Sequence, residues 1–307
     1  MVAHASLRFW TLTKTAYREW REDKARHLAA ALSYYTAISV APLLVLGLSV
    51  AGFFVDANVA RQQLSAQFHG ILGAQGAELL TMVLKNAERP QPASVAGILS
   101  VIVLIWGASN VFAQLQDALN TIWNVELKPN AGMWVLVRER FLSFGMVLAI
   151  GFVLLVSLIL SAVIAFLSGQ FSHLLPGMDS AWQFANLALS FLITTLVFGL
   201  LYKVLPEVKI AWQDVWIGAI VTAVLFSVGK YALSLYFGFE VVSSAYGAAG
   251  SLVVFLIWVY ISAQIFFFGA EFTQVYARSM GHGLEPVEYT RLSSPDLGEP
   301  TEHDAIE

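Results

Sequence analysis

The sequence predicts an all-α integral membrane protein, a six-transmembrane-helix bundle with both termini cytoplasmic. Three observations carry this. Of 307 residues, 58% are hydrophobic and only 12% charged, about half the roughly 25% charged share of an average soluble domain. The apolar residues gather into six runs, each near the ~20 residues that a helix needs to cross a bilayer. Finally, Lys and Arg outside those runs fall unequally on the two sides, the asymmetry that sets orientation in a membrane.

The runs are residues 28–55, 95–115, 141–167, 182–205, 215–237 and 250–272. The first is read as a span. It is too long for the core of a signal peptide, and no small-x-small site follows Phe53 and Phe54. The N-terminal arm carries Arg8, Lys14, Arg18, Arg21, Lys24 and Arg26; the second loop carries Lys128, Arg138 and Arg140. Lys203 and Lys209 in the fourth loop and Arg278 and Arg291 in the tail bring one side to thirteen. The opposite side has only Arg61, Lys85 and Arg89, so the basic side is expected to face the cytoplasm.

Residues 1–27 form an arm, within which 5–27 have the pattern of an interfacial amphipathic helix. Trp10, Thr13, Tyr17 and Trp20 follow helical spacing, and Lys14, Arg18 and Arg21 take other faces. Rings at headgroup depth with cations against anionic lipid describe such a helix. Its plain role is an anchor; a lipid-sensing arm is the sharper reading. The first span bears Tyr35 and Ser39 in its cytoplasmic half, then Pro42, which removes a backbone bond and marks a hinge candidate. The first periplasmic loop, 56–94, shows two amphipathic helical pieces separated by Gly70, Gly73 and Gly76.

Past the second span, Asn110, Gln114, Asp117 and Thr121 stand at i, i+4, i+7 and i+11, one polar helix face. Such a face either bonds helices together, at about 0.6 kcal/mol per bond, or lines a cavity. Arg138, Glu139 and Arg140 open the third span as topology determinants, and an arginine there is the nearest partner the sequence offers Glu271 or Asp117. Pro206 ends the fourth span, and Asp214 suits the start of the fifth. Lys230, the one cation well inside a span, is expected to snorkel outward or to meet Glu240 or a lipid phosphate. The rise per residue places it some 20 Å along the membrane normal from Glu271, too far for an ion pair.

The last span organises the rest. Tyr260, Gln264 and Glu271 share one helix face, and a carboxylate inside a span needs polar company. Gly247 and Gly250 at its entrance are packing positions or hinge candidates. The span domain covers 28–278, and the acidic tail, 279–307, is rich in Glu, Asp, Pro, Ser and Gly and is expected to be disordered.

Several chemistries find no residues. There is no cysteine, and none of the six histidines pairs with another at metal-ligand spacing. No Walker sequence, HExxH or nucleophile elbow occurs. No metal, cofactor or enzymatic activity is therefore expected. A net charge of −4 argues against a nucleic-acid partner.

LLYKVLPEVKIAWQDVWIGAI and SAYGAAGSLVVFLIWVYISAQIFFFGAEF, with ALSYYTAISVAPLLVL and FAQLQDALNTIW, resemble the YihY/BrkB family of bacterial inner-membrane proteins over about residues 20–278. The family once bore the label ribonuclease BN, for which this chain lacks a nuclease constellation. The resemblance implies a multi-pass inner-membrane protein connected with envelope integrity, serum resistance and, for some members, lipid or lipopolysaccharide export. It draws attention to Tyr35, Pro42, Asn120, Pro206, Tyr246, Gly247, Gly250, Tyr260, Gln264 and Glu271. The expected function is transport or flipping of a lipid-linked or anionic amphipathic molecule. Its pathway would be lined by Tyr35, Ser39, Asn110, Gln114, Asp117, Tyr260, Gln264 and Glu271, with Arg140 at the mouth and Lys230 in the outer half. Glu271 is the candidate for proton coupling. The alternative is a non-transporting scaffold or stress-resistance factor. Membrane lipids are the expected partners; a homo-oligomer is compatible with the sequence, and protein partners are unspecified.

Overall fold

Described residues in the computed structural model are 2–51, 62, 65, 110–128, 145, 153, 156, 179–238, 250–280, 285–287 and 289–293. The expected third span apart from three positions, the expected second span before residue 110, the helices expected in the 56–94 loop apart from residues 62 and 65, Arg140 and Gly247 lie outside them. Helices dominate: α1 (Val2–Glu22), α2 (Ala25–Ala51), α3 (residues 110–122), α4 (Asp179–Val204), α5 (Trp212–Gly238) and α6 (Gly250–Ser279). Among the described residues, three helices are long and apolar enough to cross a membrane, over Phe184–Val204, Trp212–Leu235 and Leu252–Ser279.

The sixth helix is the hub, packing against α1, α2 and α5, while α4 packs on α5. From Phe266 to Val275 every residue but Phe268 is buried, so this half of α6 is enclosed on all sides. Its neighbours hold it by fit, since lipid tails are as apolar as leucine and helices gain little there from the hydrophobic effect. Gly218 and Thr222 on α5 face Thr273 and Gly269 on α6, each threonine seated against the other helix's glycine. A Cβ on Gly218 would lie 1.7 Å from Thr273 Oγ1, and one on Gly269 would lie 1.9 Å from Thr222 Oγ1. The sequence order runs oppositely on the two helices, so they are antiparallel. Both hydroxyls bond back along their own helices: Thr222 donates to the Gly218 carbonyl at 2.7 Å and Thr273 to that of Gly269 at 2.6 Å. Tyr202 of α4, fully buried, donates to the Phe266 carbonyl at 2.7 Å and lies 2.9 Å from Thr222 Oγ1. Three helices thus meet at one polar point with its hydrogen bonds made.

Helix α1 ends in a two-residue turn in which Lys24 takes a left-handed conformation (φ 53°), and α2 starts at once. The latter continues as one helix past Pro42. Ala16, Phe272 and Val275 make a small core between α1 and α6. Trp20, one turn further along α1, joins the main core with Ala29, Phe266 and Ala270.

Short strands cap one end of the bundle. Strand β1 (Val125–Leu127) pairs antiparallel with β4 (Thr290–Leu292), and β2 (Val208–Lys209) with β3 (Glu285–Pro286). The expectation of disorder from residue 279 onward therefore fails at 285–287 and 289–293. The reason is a buried anchor. Glu207, 4% exposed, accepts from Gln116 Nε2 and Asn120 Nδ2, each at 3.1 Å, while its own N–H donates to Asn120 Oδ1 at 2.9 Å. Its carbonyl accepts from the Val287 N–H at 3.2 Å and from the Thr290 hydroxyl at 3.1 Å. Polar satisfaction, rather than apolar burial, secures the tail.

Three outcomes are expected in detergent-solubilised protein. Gly269→Val overfills the α5–α6 contact and lowers the melting temperature, at a cost of about 1–3 kcal/mol. Gly199→Ala meets nothing nearer than 3.8 Å and leaves it unchanged. Asn120→Ala strips Glu207 of two bonds, costs about 1–3 kcal/mol and exposes the 280–293 segment to limited proteolysis.

Candidate functional site

Glu271, Gln274 and Arg278 stand at i, i+3 and i+7 on α6, a spacing that puts them on one helix face. Glu271 and Gln274 are both wholly buried. Arg278 donates to Gln274 Oε1 at 3.1 Å and forms a short ion pair with Glu19 of α1. The turn after α1 brings in Asp23, whose carboxyl lies near that of Glu271 and acts on it. Glu19 pairs with the guanidinium, and Asp23 and Glu271 feel its charge, where α1, the 23–24 turn and α6 meet.

Hydrogen bonding there is incomplete. Among the described residues, neither oxygen of Glu271 receives a donor, and Gln274 Nε2 and Arg278 Nε have no acceptor. A carboxyl can bond to another carboxyl only when one of them carries a proton, so the Asp23–Glu271 contact is a proton-dependent one. Burial pushes Asp23 up to about 6; the bond to Glu271 works against this, and the charges of Glu19 and Glu22 add to it. Glu19 is also raised, by burial, with Arg278 opposing. Among the described residues no group of three His, Cys, Asp or Glu side chains is placed to hold a metal ion.

The other expected pathway residues scatter. Tyr260 and Gln264 are half-buried on α6 and Ser39 is buried in α2, its hydroxyl without a partner among the described residues. Tyr35 is 40% exposed and meets Tyr34 edge-on. On α3, Asn110 and Gln114 are half-buried, but Asp117 is exposed. On the neighbouring face Gln116 and Asn120, also half-buried, reach Glu207. Lys230 is exposed. The α5–α6 register sets Glu271 level with residue 220, so Lys230 is about 15 Å further along α5, nearer than the expected 20 Å but still beyond an ion pair. Gly250 is buried at the start of α6. The company of Glu271 is thus Asp23, Glu19 and Arg278. Gln274 and Arg278 were within reach of spacing arithmetic from Glu271; Asp23 and Glu19 were not, because only folding brings α1 onto α6.

Buried ionisable groups on a long apolar helix, with two further apolar helices packed around it, define a helical membrane protein. Residues 16–288 match the Virulence factor BrkB family, and the chain belongs to it. It is 29% identical over 265 residues to a UPF0761 membrane protein of Alkalilimnicola ehrlichii, covering 84% of this chain and 56% of that one. Similarity is comparable to a Ralstonia nicotianae UPF0761 membrane protein, at 28% over 275 residues (86% and 59%). An Aeromonas salmonicida counterpart is 27% identical over 263 residues (84% and 86%). The chain thus spans under three-fifths of the first two relatives. No solved structure matches it.

A carboxyl raised on folding stabilises the fold while protonated. Asp23's contribution is complete below about pH 4, its unfolded range, and is lost as pH rises through about 6. Asp23→Asn should raise the melting temperature at pH 7.5 by ~2–4 °C and leave it nearly unchanged at about pH 3.5, below the unfolded range, as measured by thermal unfolding in detergent.

Proposed function

We propose that this protein moves a lipid-linked or anionic amphipathic molecule across the bacterial inner membrane, with Glu271 and Asp23 exchanging a coupling proton. The observation that supports this most is the buried carboxyl of Glu271, facing a second carboxyl instead of a donor. Such a group is costly in a span, and its usual use is in an ion or substrate pathway. A purely structural role would be served as well by an apolar residue of similar size, since replacing buried ionic groups by packed apolar ones is often neutral or stabilising.

Threading with both termini cytoplasmic belongs to the same reading. The end of α1, the loops at 123–128 and 205–211, and the segment 285–293 gather at one end of the bundle through Glu19–Arg278 and the two strand pairs. That end bears most of the Lys and Arg. The molecule acts without bond-making chemistry of its own in this reading.

A scaffold is the second reading, favoured by the tight Gly218–Thr273 and Thr222–Gly269 seating. The two separate in proteoliposomes. Reconstituted protein given a labelled anionic phospholipid and a pH gradient should show gradient-dependent movement. Glu271→Gln and Asp23→Asn should each lower it about tenfold or more, as loss of a group acting in the transport step does. Unaltered, gradient-responsive rates in both variants would overturn the proton assignment. An inert wild type, with a more heat-stable Glu271→Leu, would establish the scaffold.

A further inference from the structure

Helix α1 has two faces with different tasks. Its inner face, with Ala16 and Glu19, is committed to α6. Its outer face presents Trp10, Lys14, Tyr17 and Arg21 at i, i+4, i+7 and i+11, a single stripe, with Arg18 beside it. All five are exposed, Trp10 at 58% and Tyr17 at 48%. This revises the grouping drawn from spacing alone: Trp20 leaves the aromatic row for the core, and Trp10 and Tyr17 share their face with the cations.

We infer that this stripe binds the phosphate headgroups of anionic phospholipids in the leaflet beside it. Four observations carry the inference. First, depth: Glu19 pairs with Arg278 in the last turn of a helix apolar enough to span the bilayer. This pins α1 where hydrocarbon gives way to headgroups. Second, chemistry: Lys14 Nζ lies 5.2 Å over the Trp10 ring, a cation and an aromatic plane presented together, as suits the amphipathic interface. Third, shape: Tyr17, Arg18, Arg21 and Glu22 line a shallow depression of about 400 Å³, roomy enough for a phosphoglycerol group. Fourth, charge: three cations face outward against the one carboxylate of Glu22. Glu22 meets Arg18 at only 3.9 Å with both side chains mostly exposed, a weak pairing. Glu19, which would otherwise neutralise the stripe, is turned inward. A soluble phosphate would use the cations but leave the rings idle; a lipid uses both.

The inference is independent of the transport reading and is tested without transport. The chain has no cysteine, so Thr11→Cys, at an exposed position beside the stripe, accepts a single environment-sensitive fluorophore. Full-length labelled protein in neutral detergent is titrated with phosphatidylglycerol, phosphatidylcholine or inorganic phosphate. Phosphatidylglycerol should give a saturable blue shift that weakens with salt, while the other two give none. Lys14→Gln/Arg18→Gln/Arg21→Gln should raise the midpoint about tenfold or more, Arg21→Gln alone should raise it partially, and the control Lys203→Gln should not move it. An equal response to phosphatidylcholine, a response to free phosphate, stronger saturation by an acidic polypeptide, or an unshifted midpoint in both stripe variants would overturn the inference.

Discussion

The enclosure of the second half of α6 is the constraint from which the rest follows. A helix surrounded by α1, α2 and α5 must pass them at close range, and close range needs small side chains. The paired glycines and threonines at 218/273 and 222/269 meet that need from both helices at once. Their hydroxyls return to carbonyls of their own helices, so the contact carries no unpaired donor into the interior. The same enclosure makes Glu271 expensive. Sited between Gly269 and Thr273, it cannot reach lipid headgroups or bulk water by leaning outward, and its surroundings are fixed by what α1 and the 23–24 turn deliver.

Much of the helical architecture was legible. Continuous apolar runs bounded by Pro206 and Asp214 placed α4 and α5 within a few residues of their observed ends. Glu271 stood out because a carboxylate within apolar sequence violates the pattern around it. Its partners did not stand out, since Glu19 and Asp23 sit in an arm where charges are unremarkable, some 250 residues away in sequence. The polar row on α3 did not point to the anchor at Glu207. Asn110, Gln114, Asp117 and Thr121 have the regular spacing, yet the contacts that matter use Gln116 and Asn120. Periodicity ranks faces by polarity and is silent on which one meets a neighbour.

Glu207 shows why composition misled at the tail. Residues 285–293 hold little to bury, and on apolar content alone they have no reason to be ordered. A single buried carboxylate and its own carbonyl supply the docking instead, through two side-chain amides from α3 and two donors from the tail. The β1–β4 and β2–β3 ladders then extend this contact outward, ending in the exposed pairs Arg291–Glu126 and Lys209–Glu285.

The ion pair between Glu19 and Arg278 joins residues 259 positions apart. A ribosome makes the acid early and the base last. Through most of synthesis α1 must wait on the membrane with Glu19 and Asp23 hydrated, and Glu271 has to enter its enclosure before the lid that covers it can close. Of the described helices, the earliest in the chain thus finds its ion-pair partner only once the latest has been made.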